Sequence, residues 1–304
     1  MSDTLIGVVT VTYNSAPFLR DFLRSCAQQT LKNYRVYCVD NNSTDDTLNI
    51  LAGIQDERWR VTRNAGNVGV AAGNNQGITQ ALADGCEWIL LLNNDTSFAE
   101  GFFQSLMATC VTQGWLTGVP KIYFDTPAGH IWYGGGGFDR WKGYAGYHRS
   151  IGTVDTGQCD VPGKIEYAPT CAMLVHGSVF HKVGLMDETY FVYFDDTDFC
   201  WRLWRAGVAL GYCPGSTLIH KVGGSTGGGK SVFSAFHISR NRMYFLRKHF
   251  GSMVAWAWAP GFLAVYLIRY ITKWWDYSCL LASVKGTFSS GSMRPKVPKI
   301  GTSE

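Results

Sequence analysis

The chain has 304 residues, 46% of them hydrophobic and 16% charged, with a net charge of +4 at pH 7. This composition is typical of a well-cored globular protein with one large or two small domains, and it argues against a nucleic-acid partner. The nine cysteines show no CxxC pair and no metal-ligand spacing, which favours a reducing compartment over a disulfide scaffold. No basic region precedes the short apolar run after Met1, so no signal peptide is expected.

Strands and helices alternate through the first hundred residues. Apolar and β-branched patterns predict strands over residues 5–12, 34–39, 60–62 and 88–92. Pro17 lies in an early turn of the first predicted helix, and Ser43-Thr44-Asp45-Asp46 resembles a capping box for the second. Strict alternation predicts an α/β fold in which helices flank a mostly parallel sheet with right-handed crossovers.

Polar residues follow three of these strands at the point where each strand ends. They are Tyr13-Asn14, Asp40-Asn41-Asn42 and Asn93-Asn94-Asp95. Because ligands bind beyond the carboxyl ends of strands in open α/β sheets, three such ends predict a polar cleft. A carboxylate there, on Asp95, is suited to a hard cation that holds a diphosphate. The alternative is a polar turn after a core strand.

A glycine-rich turn over residues 64–77 follows the third predicted strand. Its spacing is not GxGxxG, and it lacks the GK[ST] of a phosphate-binding loop. Hydride transfer and phosphoryl transfer from ATP are therefore disfavoured. A helix containing Ile78 is predicted after the turn.

The middle of the chain is less regular. Trp132 and other aromatic residues surround the glycine run at 134–137, where they form either a sugar platform or a packed irregular loop. Strands are predicted over residues 167–175 and 211–219. A second glycine-rich loop at 223–229 is suited to closing over a ligand and excluding water.

An acidic cluster follows the aromatic run at residues 190–194. It contains Asp195, Asp196 and Asp198, at the start of a predicted helix. A carboxylate in a partly apolar pocket is suited to act as a general base. The alternative is a set of acids that interact favourably with the helix dipole, and Asp198 in particular is predicted to cap the helix.

The C-terminal tail, residues 251–304, is apolar, aromatic and basic. Its apolar run at 253–271 is interrupted by Pro260 and contains Arg269, whereas roughly 20 clean apolar residues are needed to span a bilayer. Several tryptophans and tyrosines near the basic residues indicate helices that lie on the inner leaflet of a membrane. A hairpin packed on the domain or on a second subunit is the alternative. Residues 286–304 are expected to be disordered.

Several motifs occur in the order found in one enzyme family. They are Val9-Thr10-Val11-Thr12-Tyr13-Asn14, Val39-Asp40-Asn41-Asn42, Asn67-Val68-Gly69, Leu92-Asn93-Asn94-Asp95, Asp195-Asp196-Thr197-Asp198 and Arg240-Asn241-Arg242. The chain resembles the bacterial family 2 glycosyltransferases of the GT-A fold, of the rhamnosyltransferase-like kind. The resemblance runs from about residue 5 to 250. We expect a donor-binding half at 1–100 and an acceptor-binding half at 101–250.

The resemblance also implies roles for individual residues. The donor nucleotide would contact Thr12, Tyr13, Asn14, Asp40, Asn42, Asn67, Gly69, Asn93 and Asn94. Asp40 would accept a hydrogen bond from a pyrimidine ring N–H, unless it serves only as a turn former. Asp95 would bind Mg²⁺ or Mn²⁺ as the only carboxylate of its motif. His220 would supply a second ligand, unless it is structural.

The remaining implied roles concern catalysis and the acceptor. Asp196 would be the general base, as the second acid of an ED-type motif in which Asp195 replaces the usual glutamate. Contacts to the acceptor or the diphosphate are expected from Trp132, Tyr193, Asp195, Arg240 and Arg242.

These expectations combine into one predicted activity. The protein would be an inverting glycosyltransferase that moves a sugar from dTDP-rhamnose or a UDP-sugar to a hydroxyl of a lipid-linked or cell-surface glycan precursor. It would be cytoplasmic and peripheral on the inner face of the cell membrane, with a homodimer through the tail as a further possibility. The alternatives are a nucleotidyltransferase acting on sugar phosphates, which would release pyrophosphate, and a non-catalytic glycan-binding protein.

Overall fold

The computed structural model describes residues 4–221 and 231–300, so the glycine-rich loop predicted at 223–229 lies outside the described residues. The first half of the chain alternates strands and helices as predicted. Its elements are β1 (Ile6–Thr12), α1 (Ala16–Ala27), β2 (Tyr34–Asp40), α2 (Thr47–Ala52), β3 (Trp59–Arg63), α3 (Val70–Ala83), β4 (Trp88–Leu92), β5 (Thr96–Phe98), α4 (Phe102–Gln113) and β6 (Thr117–Phe124).

The second half begins with short strands and ends with three helices. Its elements are β7 (Ile131–Tyr133), β8 (Gly136–Asp139), β9 (Ala145–His148), β10 (Gly163–Ile165), β11 (Ala172–His176), α5 (Gly177–Val183), α6 (Asp195–Arg205), β12 (Leu210–His220), α7 (Val232–Phe250), α8 (Ser252–Ile271) and α9 (Tyr277–Ser289). The strands β8 and β9 form a separate two-stranded sheet, so the last two glycines of the run at 134–137 are part of this hairpin.

The main sheet follows the order β10-β12-β6-β11-β4-β1-β2-β3, with β5 paired to β12 and β7 to β6. Strands β1 to β4 pair in parallel, which confirms the sheet predicted for the first hundred residues. The complete sheet is mixed because β11 runs antiparallel between β4 and β6. All five residues of β4 are buried, as expected for a strand covered on both faces.

The glycine-rich stretch is partly helical, which the sequence analysis did not anticipate. Helix α3 begins at Val70, inside the predicted turn, and packs on β1. A Cβ atom on Gly77 would lie 2.5 Å from Val9 Cγ1, and one on Gly73 would lie 2.9 Å from Val11 Cγ1. These glycines therefore let the helix approach the strand closely, which explains why helix-disfavouring residues occur there.

Gly69 brings the start of α3 against residues 190–194. Its φ angle is +88°, and a Cβ atom there would lie 2.5 Å from the carbonyl oxygen of Phe191. That oxygen accepts a hydrogen bond from Val70 N at 2.8 Å. Asn67 completes the turn, because its Oδ1 accepts a hydrogen bond from Gly69 N. The turn thus holds the start of α3 against residues 190–194, which are distant in sequence.

The predicted strand at 167–175 begins only at Ala172. The preceding residues are buried, but their carbonyl groups bind side chains instead of a neighbouring strand. Tyr133 Oη donates to Tyr167 O at 2.7 Å, and Cys200 Sγ donates to Ala168 O at 3.3 Å. This segment is therefore a buried irregular connection.

The C-terminal helices pack on the rest of the protein. Helix α8 buries Ala255, Ala259, Phe262 and Tyr266, and α9 packs along α7. The packed hairpin, which was the alternative to a membrane-bound tail, is therefore present. The domain boundary predicted at residue 250 stays a prediction.

Disorder from residue 286 onward was predicted and is wrong up to residue 300. Helix α9 continues to Ser289, and the following segment pairs with residues 185–189. Leu185 N donates to Pro298 O at 3.0 Å, and Glu188 N donates to Lys296 O at 2.9 Å. These backbone hydrogen bonds order a segment whose composition alone indicates flexibility.

Gly69→Ala should destabilise the protein by about 2–4 kcal/mol, because it combines a left-handed residue with a clash against a backbone oxygen. Gly66→Ala is the matched control, since no atom lies within 4 Å of the corresponding Cβ position in the described structure. Chemical denaturation of both variants measures the difference. Equal stabilities would show that the turn tolerates a Cβ at residue 69.

Candidate active site

Three loops meet at the carboxyl ends of β1, β2 and β4, as the sequence predicted. Asn14 N donates to Ser43 Oγ at 2.9 Å, and Thr44 N donates to Asn14 Oδ1 at 2.8 Å. Asn14 and Asn42 have positive φ angles of 50° and 63°, a conformation that asparagine tolerates better than most residues. The side chain of Tyr13 is 46% exposed at this edge. These loops thus form one rigid rim.

Asp40 is fully buried and forms the turn after β2. Thr12 Oγ1 donates to its Oδ1 at 2.9 Å, and Ser43 N donates to its Oδ2 at 2.9 Å. Ser43 Oγ also donates to Oδ1, at 2.5 Å. Because a carboxylate oxygen has two lone pairs, Oδ2 keeps one acceptor position. The turn-forming role of Asp40 is therefore compatible with a ligand contact.

The other predicted nucleotide-binding residues divide into two groups. Asn93 and Asn67 are exposed, and Asn42 is half-buried and accepts a hydrogen bond from Arg63. Asn94 is buried, and its Nδ2 donates to Val11 O at 2.5 Å, which joins the ends of β4 and β1. Asn94 and Gly69 therefore have packing roles that the sequence analysis did not assign to them.

Asp95 and His220 are brought together by the pairing of β5 with β12. Asp95 Oδ1 lies 3.2 Å from His220 Nε2, and both side chains are mostly buried. Burial alone would lower the pKa of His220, but Cys171 and Asp95 outweigh it and raise this pKa to about 10. The surroundings of the His220 ring therefore stabilise a positive charge at this position.

The Asp95–His220 pair fits a divalent cation. Within the described residues, Asp95 Oδ1 is buried without a hydrogen-bond partner, and the His220 nitrogen that faces it is Nε2. Two atoms that bind one ion at ~2.1 Å lie ~3 Å apart when they occupy adjacent positions, close to the observed separation. Residues 4–221 and 231–300 contain no group of three or more potential ligands. Other ligands would come from substrate oxygens and water.

Asp195 and Asp196 form a buried acid pair at the start of α6. Tyr167 Oη donates to Asp196 Oδ2 at 2.8 Å, and Thr197 N donates to Asp196 Oδ1 at 2.6 Å. Burial, together with the charge of Asp196, raises the pKa of Asp195 to about 8. Burial also raises the pKa of Asp196, although the hydrogen bond from Tyr167 opposes it. With a pKa of about 8, Asp195 is mostly protonated at neutral pH, which removes a negative charge that would oppose ionisation of Asp196.

Asp198 belongs to a different, charge-balanced cluster. Its carboxylate forms ion pairs with Arg202 Nε at 2.8 Å, Lys248 Nζ at 2.6 Å and His249 Nε2 at 2.8 Å. Burial opposes ionisation, but these three partners outweigh it and hold the pKa of Asp198 well below its usual range. The predicted helix cap is wrong, since Asp198 instead joins α6 to α7.

The turn before the acid pair has a strained conformation. Tyr193 and Phe194 have φ angles of +63° and +68°, which are uncommon for aromatic residues. The buried Asn241 holds this turn, because its Nδ2 donates to Val192 O and Tyr193 O, both at 2.8 Å. Sequence analysis did not assign this role, and its only signal was the position of Asn241 between two arginines. Such strain is typical of functional sites.

Aromatic residues connect the Asp95–His220 pair to the acid pair. Trp132 lies between the rings of His220 and His148, with centroid distances of 4.5 and 4.6 Å. His148 in turn stacks near Tyr167, the partner of Asp196, at 6.0 Å. Burial lowers the pKa of His148 to about 4, so this ring is neutral at pH 7. Sequence analysis did not identify Tyr167 or assign a role to His148.

Arg240 and Arg242 lie on α7 near these residues. The guanidinium of Arg242 lies 4.9 Å from the ring of Phe262 and 5.9 Å from that of Phe194. Burial lowers the pKa of both arginines. In the part of the chain that the structure describes, Arg240 Nη2 and Arg242 Nε are buried without hydrogen-bond partners. Arg240 Nε donates to Asn241 Oδ1 at 3.0 Å, so it is the remaining nitrogen atoms that are suited to an anionic ligand.

Comparison with known proteins identifies relatives of this chain. The chain is 26% identical over 270 residues to N-acetylglucosaminyl-diphospho-decaprenol L-rhamnosyltransferase of Mycobacterium tuberculosis, covering 83% of this chain and 87% of the relative. It is 27% identical over 218 residues to dTDP-rhamnosyl transferase RfbF of Shigella flexneri, covering 72% of this chain and 69% of the relative.

Two solved structures share the fold. A structure of GalNAc-T7 with UDP, GalNAc and Mn²⁺ aligns with a TM-score of 0.63 and 16% identity, covering 80% of this chain and 48% of that one. A structure of residues 1–349 of Staphylococcus aureus TarS with UDP aligns with a TM-score of 0.56 and 14% identity, covering 88% and 72%. The GT-A fold expected from the sequence is therefore confirmed.

The family comparison covers more than half of the chain. Residues 7–174 match the family described as glycosyl transferase family 2, and this segment contains β1 to β4, Asp40 and Asp95. The acid pair lies beyond the matched segment, at the position where the sequence motifs predicted it. The match, the fold and the relatives agree, and the chain belongs to glycosyl transferase family 2.

Proposed function

We propose that this glycosyltransferase inverts the anomeric configuration of the transferred sugar and requires a divalent cation. One observation carries the proposal: the same edge of the sheet has the Asp95–His220 pair and, beyond an aromatic cluster, the Asp195–Asp196 acid pair, of which Asp195 is buried. Direct displacement needs one general base for the acceptor hydroxyl and positive charge near the departing diphosphate. The two pairs match these two requirements.

Asp95 and His220 would hold Mg²⁺ or Mn²⁺. The ion would neutralise the diphosphate of the donor and so stabilise the leaving group. The base and ribose of the donor would lie against Tyr13, Asn14 and the turn at Asp40, where Oδ2 of Asp40 has an acceptor position available for a ring N–H. The exposed amides Asn42, Asn67 and Asn93 would line the same cleft.

Asp196 would remove the proton from the acceptor hydroxyl. Tyr167 orients this carboxylate, and the protonated Asp195 beside it limits repulsion between the two acids. Burial raises the pKa of Asp196 toward neutral pH, which suits a general base. Trp132 and Tyr193 would contact the acceptor sugar, and Arg240 and Arg242 would contact a phosphate.

The donor and acceptor are proposed from the chemistry of the site and from the relatives. Two relatives bear rhamnosyltransferase names, and one of these names contains dTDP, which favours dTDP-rhamnose over a UDP-sugar as the donor. A lipid-linked glycan precursor as the acceptor is consistent with the exposed apolar face of α8. The protein would then act in the cytoplasm, on the inner surface of the cell membrane.

Helix α8 supports membrane binding without requiring that it span the bilayer. Among the described residues it is the one helix long and apolar enough to cross a membrane, with a mean hydropathy of 1.3. Its inner face packs on the protein, whereas its outer face exposes apolar residues. These include Met253, Trp256, Leu267, Ile268 and Ile271. A peripheral helix is the proposed arrangement, and a dimer contact through this face is the alternative.

Asp95→Asn should abolish metal-dependent donor binding and leave the fold intact, because it removes the carboxylate from the Asp95–His220 pair. Calorimetric titration with dTDP-rhamnose and with UDP-sugars, with and without Mn²⁺, measures this effect. Asp84→Asn is the matched control, since Asp84 ends α3 at the far edge of the sheet and pairs with Arg35. Unchanged affinity in Asp95→Asn would contradict the proposed ion site.

Asp196→Asn should reduce turnover by ~10²–10⁴ with donor affinity nearly unchanged, as expected for loss of a general base. Asp198→Asn should instead lower the free energy of unfolding by ~3–5 kcal/mol, because it disrupts a buried ion-pair cluster. Steady-state transfer, donor titration and denaturation of both variants separate the two roles. Turnover within a few fold of the wild type in Asp196→Asn would exclude it as the base.

The double substitution Ile268→Glu with Ile271→Glu should weaken binding to anionic vesicles by roughly 100-fold or more, since each exposed isoleucine contributes ~1.5–3 kcal/mol when buried. Substitution is preferable to deletion, because α8 also buries Phe262 and Tyr266 in the core. Ile151→Glu, at an exposed isoleucine distant in sequence, is the control. Vesicle sedimentation measures binding, and equal binding by all variants would exclude the α8 face.

A further inference from the structure

A largely apolar groove of about 460 Å³ lies between the first turns of α7 and the helix α9. Its walls include Phe233, Phe236, His237, Leu281, Ala282 and Lys285. Phe233 and Leu281 are 43% and 49% exposed, so the groove is open to solvent. None of the functions assigned above uses it.

The polar groups at the groove are cationic or unpaired. Lys285 lines it, and the guanidinium of Arg240 lies 5.6 Å from the ring of Phe236. Within the described parts of the chain, Arg240 Nη2 and His237 Nδ1 are buried and have no hydrogen-bond partner. The residues that line the groove include no aspartate or glutamate. An apolar channel with a cationic rim is complementary to a ligand with an apolar chain and an anionic head.

The groove adjoins the turn that precedes the acid pair. The ring of Phe191 stacks on His237 at 5.7 Å and contacts Phe233 edge-on at 6.3 Å. Phe191 is four residues before Asp195, and its carbonyl oxygen binds Val70 N. At the other side, Leu281 belongs to α9, which packs beside the apolar helix α8. The groove thus connects the proposed catalytic base with the proposed membrane face.

We infer that the groove binds the first isoprenoid units of a polyprenyl-diphosphate acceptor, with Lys285 and Arg240 at the diphosphate. This inference rests on the proposed transfer to a lipid-linked acceptor. The volume lies within the ~300–1,000 Å³ of small-molecule sites, which suits the head and the nearest units of a long chain. The distal part of the chain would remain in the membrane below α8.

The test uses farnesyl diphosphate as a soluble probe, titrated calorimetrically into the full chain with Mg²⁺, UDP and dTDP present to fill the donor site. Farnesyl diphosphate should bind at least tenfold more tightly than inorganic diphosphate and than farnesol. The comparison separates recognition of the apolar chain from recognition of the anion. Dihexanoyl phosphatidylglycerol serves as a third probe, for an ordinary lipid headgroup.

Variants assign the binding to the groove. Phe233→Ala should weaken binding of farnesyl diphosphate at least fivefold and leave inorganic diphosphate unaffected. Lys285→Met should weaken both about tenfold, and Lys285→Arg should restore them. Phe288→Ala is the matched control, because Phe288 is an exposed phenylalanine of α9 that stacks on Trp256 outside the groove.

Three outcomes would overturn the inference. Farnesyl diphosphate could bind no more tightly than inorganic diphosphate, phosphatidylglycerol could compete equally well, or Phe233→Ala and Phe288→Ala could behave alike. A dimer that excludes the probe, detected by sedimentation, would likewise identify the groove as a subunit contact. Donor binding is measured in the same preparations to distinguish failure of this inference from failure of the proposed function. If the donor binds in a metal-dependent way and farnesyl diphosphate does not bind, only the assignment of the groove is refuted.

Discussion

The active-site geometry depends on how the turn at residues 191–194 is held. Two of its residues have left-handed conformations that cost free energy for aromatic side chains. Asn241 compensates by donating to two consecutive carbonyl oxygens, and Val70 N binds the carbonyl oxygen of Phe191. Hence α3 and α7 together fix the direction in which α6 begins. The acid pair is placed by these backbone contacts, which come from three separate parts of the chain.

Some buried charged groups have partners of opposite charge and others do not. The first kind has a structural role, and the second kind is a candidate for function. Asp198 and Asp187 share Lys248, and each has further donors, so these carboxylates are ionised and fully satisfied. In the described part of the chain, Asp195 pairs with no such cation, and burial beside Asp196 raises its pKa to about 8. Uncompensated charge in a folded protein is costly unless it serves a ligand or a reaction. The acid pair belongs to the second kind, whereas Asp198 belongs to the first.

The C-terminal helices have two faces with different roles. The inner face of α8 supplies Phe262 and Tyr266 to the core, and Phe262 lies beside Arg242 at the catalytic turn. The segment after α9 then pairs with residues 185–189, directly before that turn. The tail therefore packs against the segment that leads into the acid pair. Its outer face remains available for a membrane or a partner.

The sequence by itself determined the parallel half of the sheet and the position of its polar edge, because hydrophobic periodicity and strand-end motifs are local signals. The ordered motifs also identified the family, and they predicted the acid pair and Asp95 as site residues. Tertiary structure decided the rest. Asp198 became part of an ion-pair cluster rather than a cap only because α7 supplies Lys248 and His249 from 50 and 51 residues away. Likewise Tyr167, Asn241 and the ordered segment after α9 act through contacts distant in sequence, which no local pattern encodes.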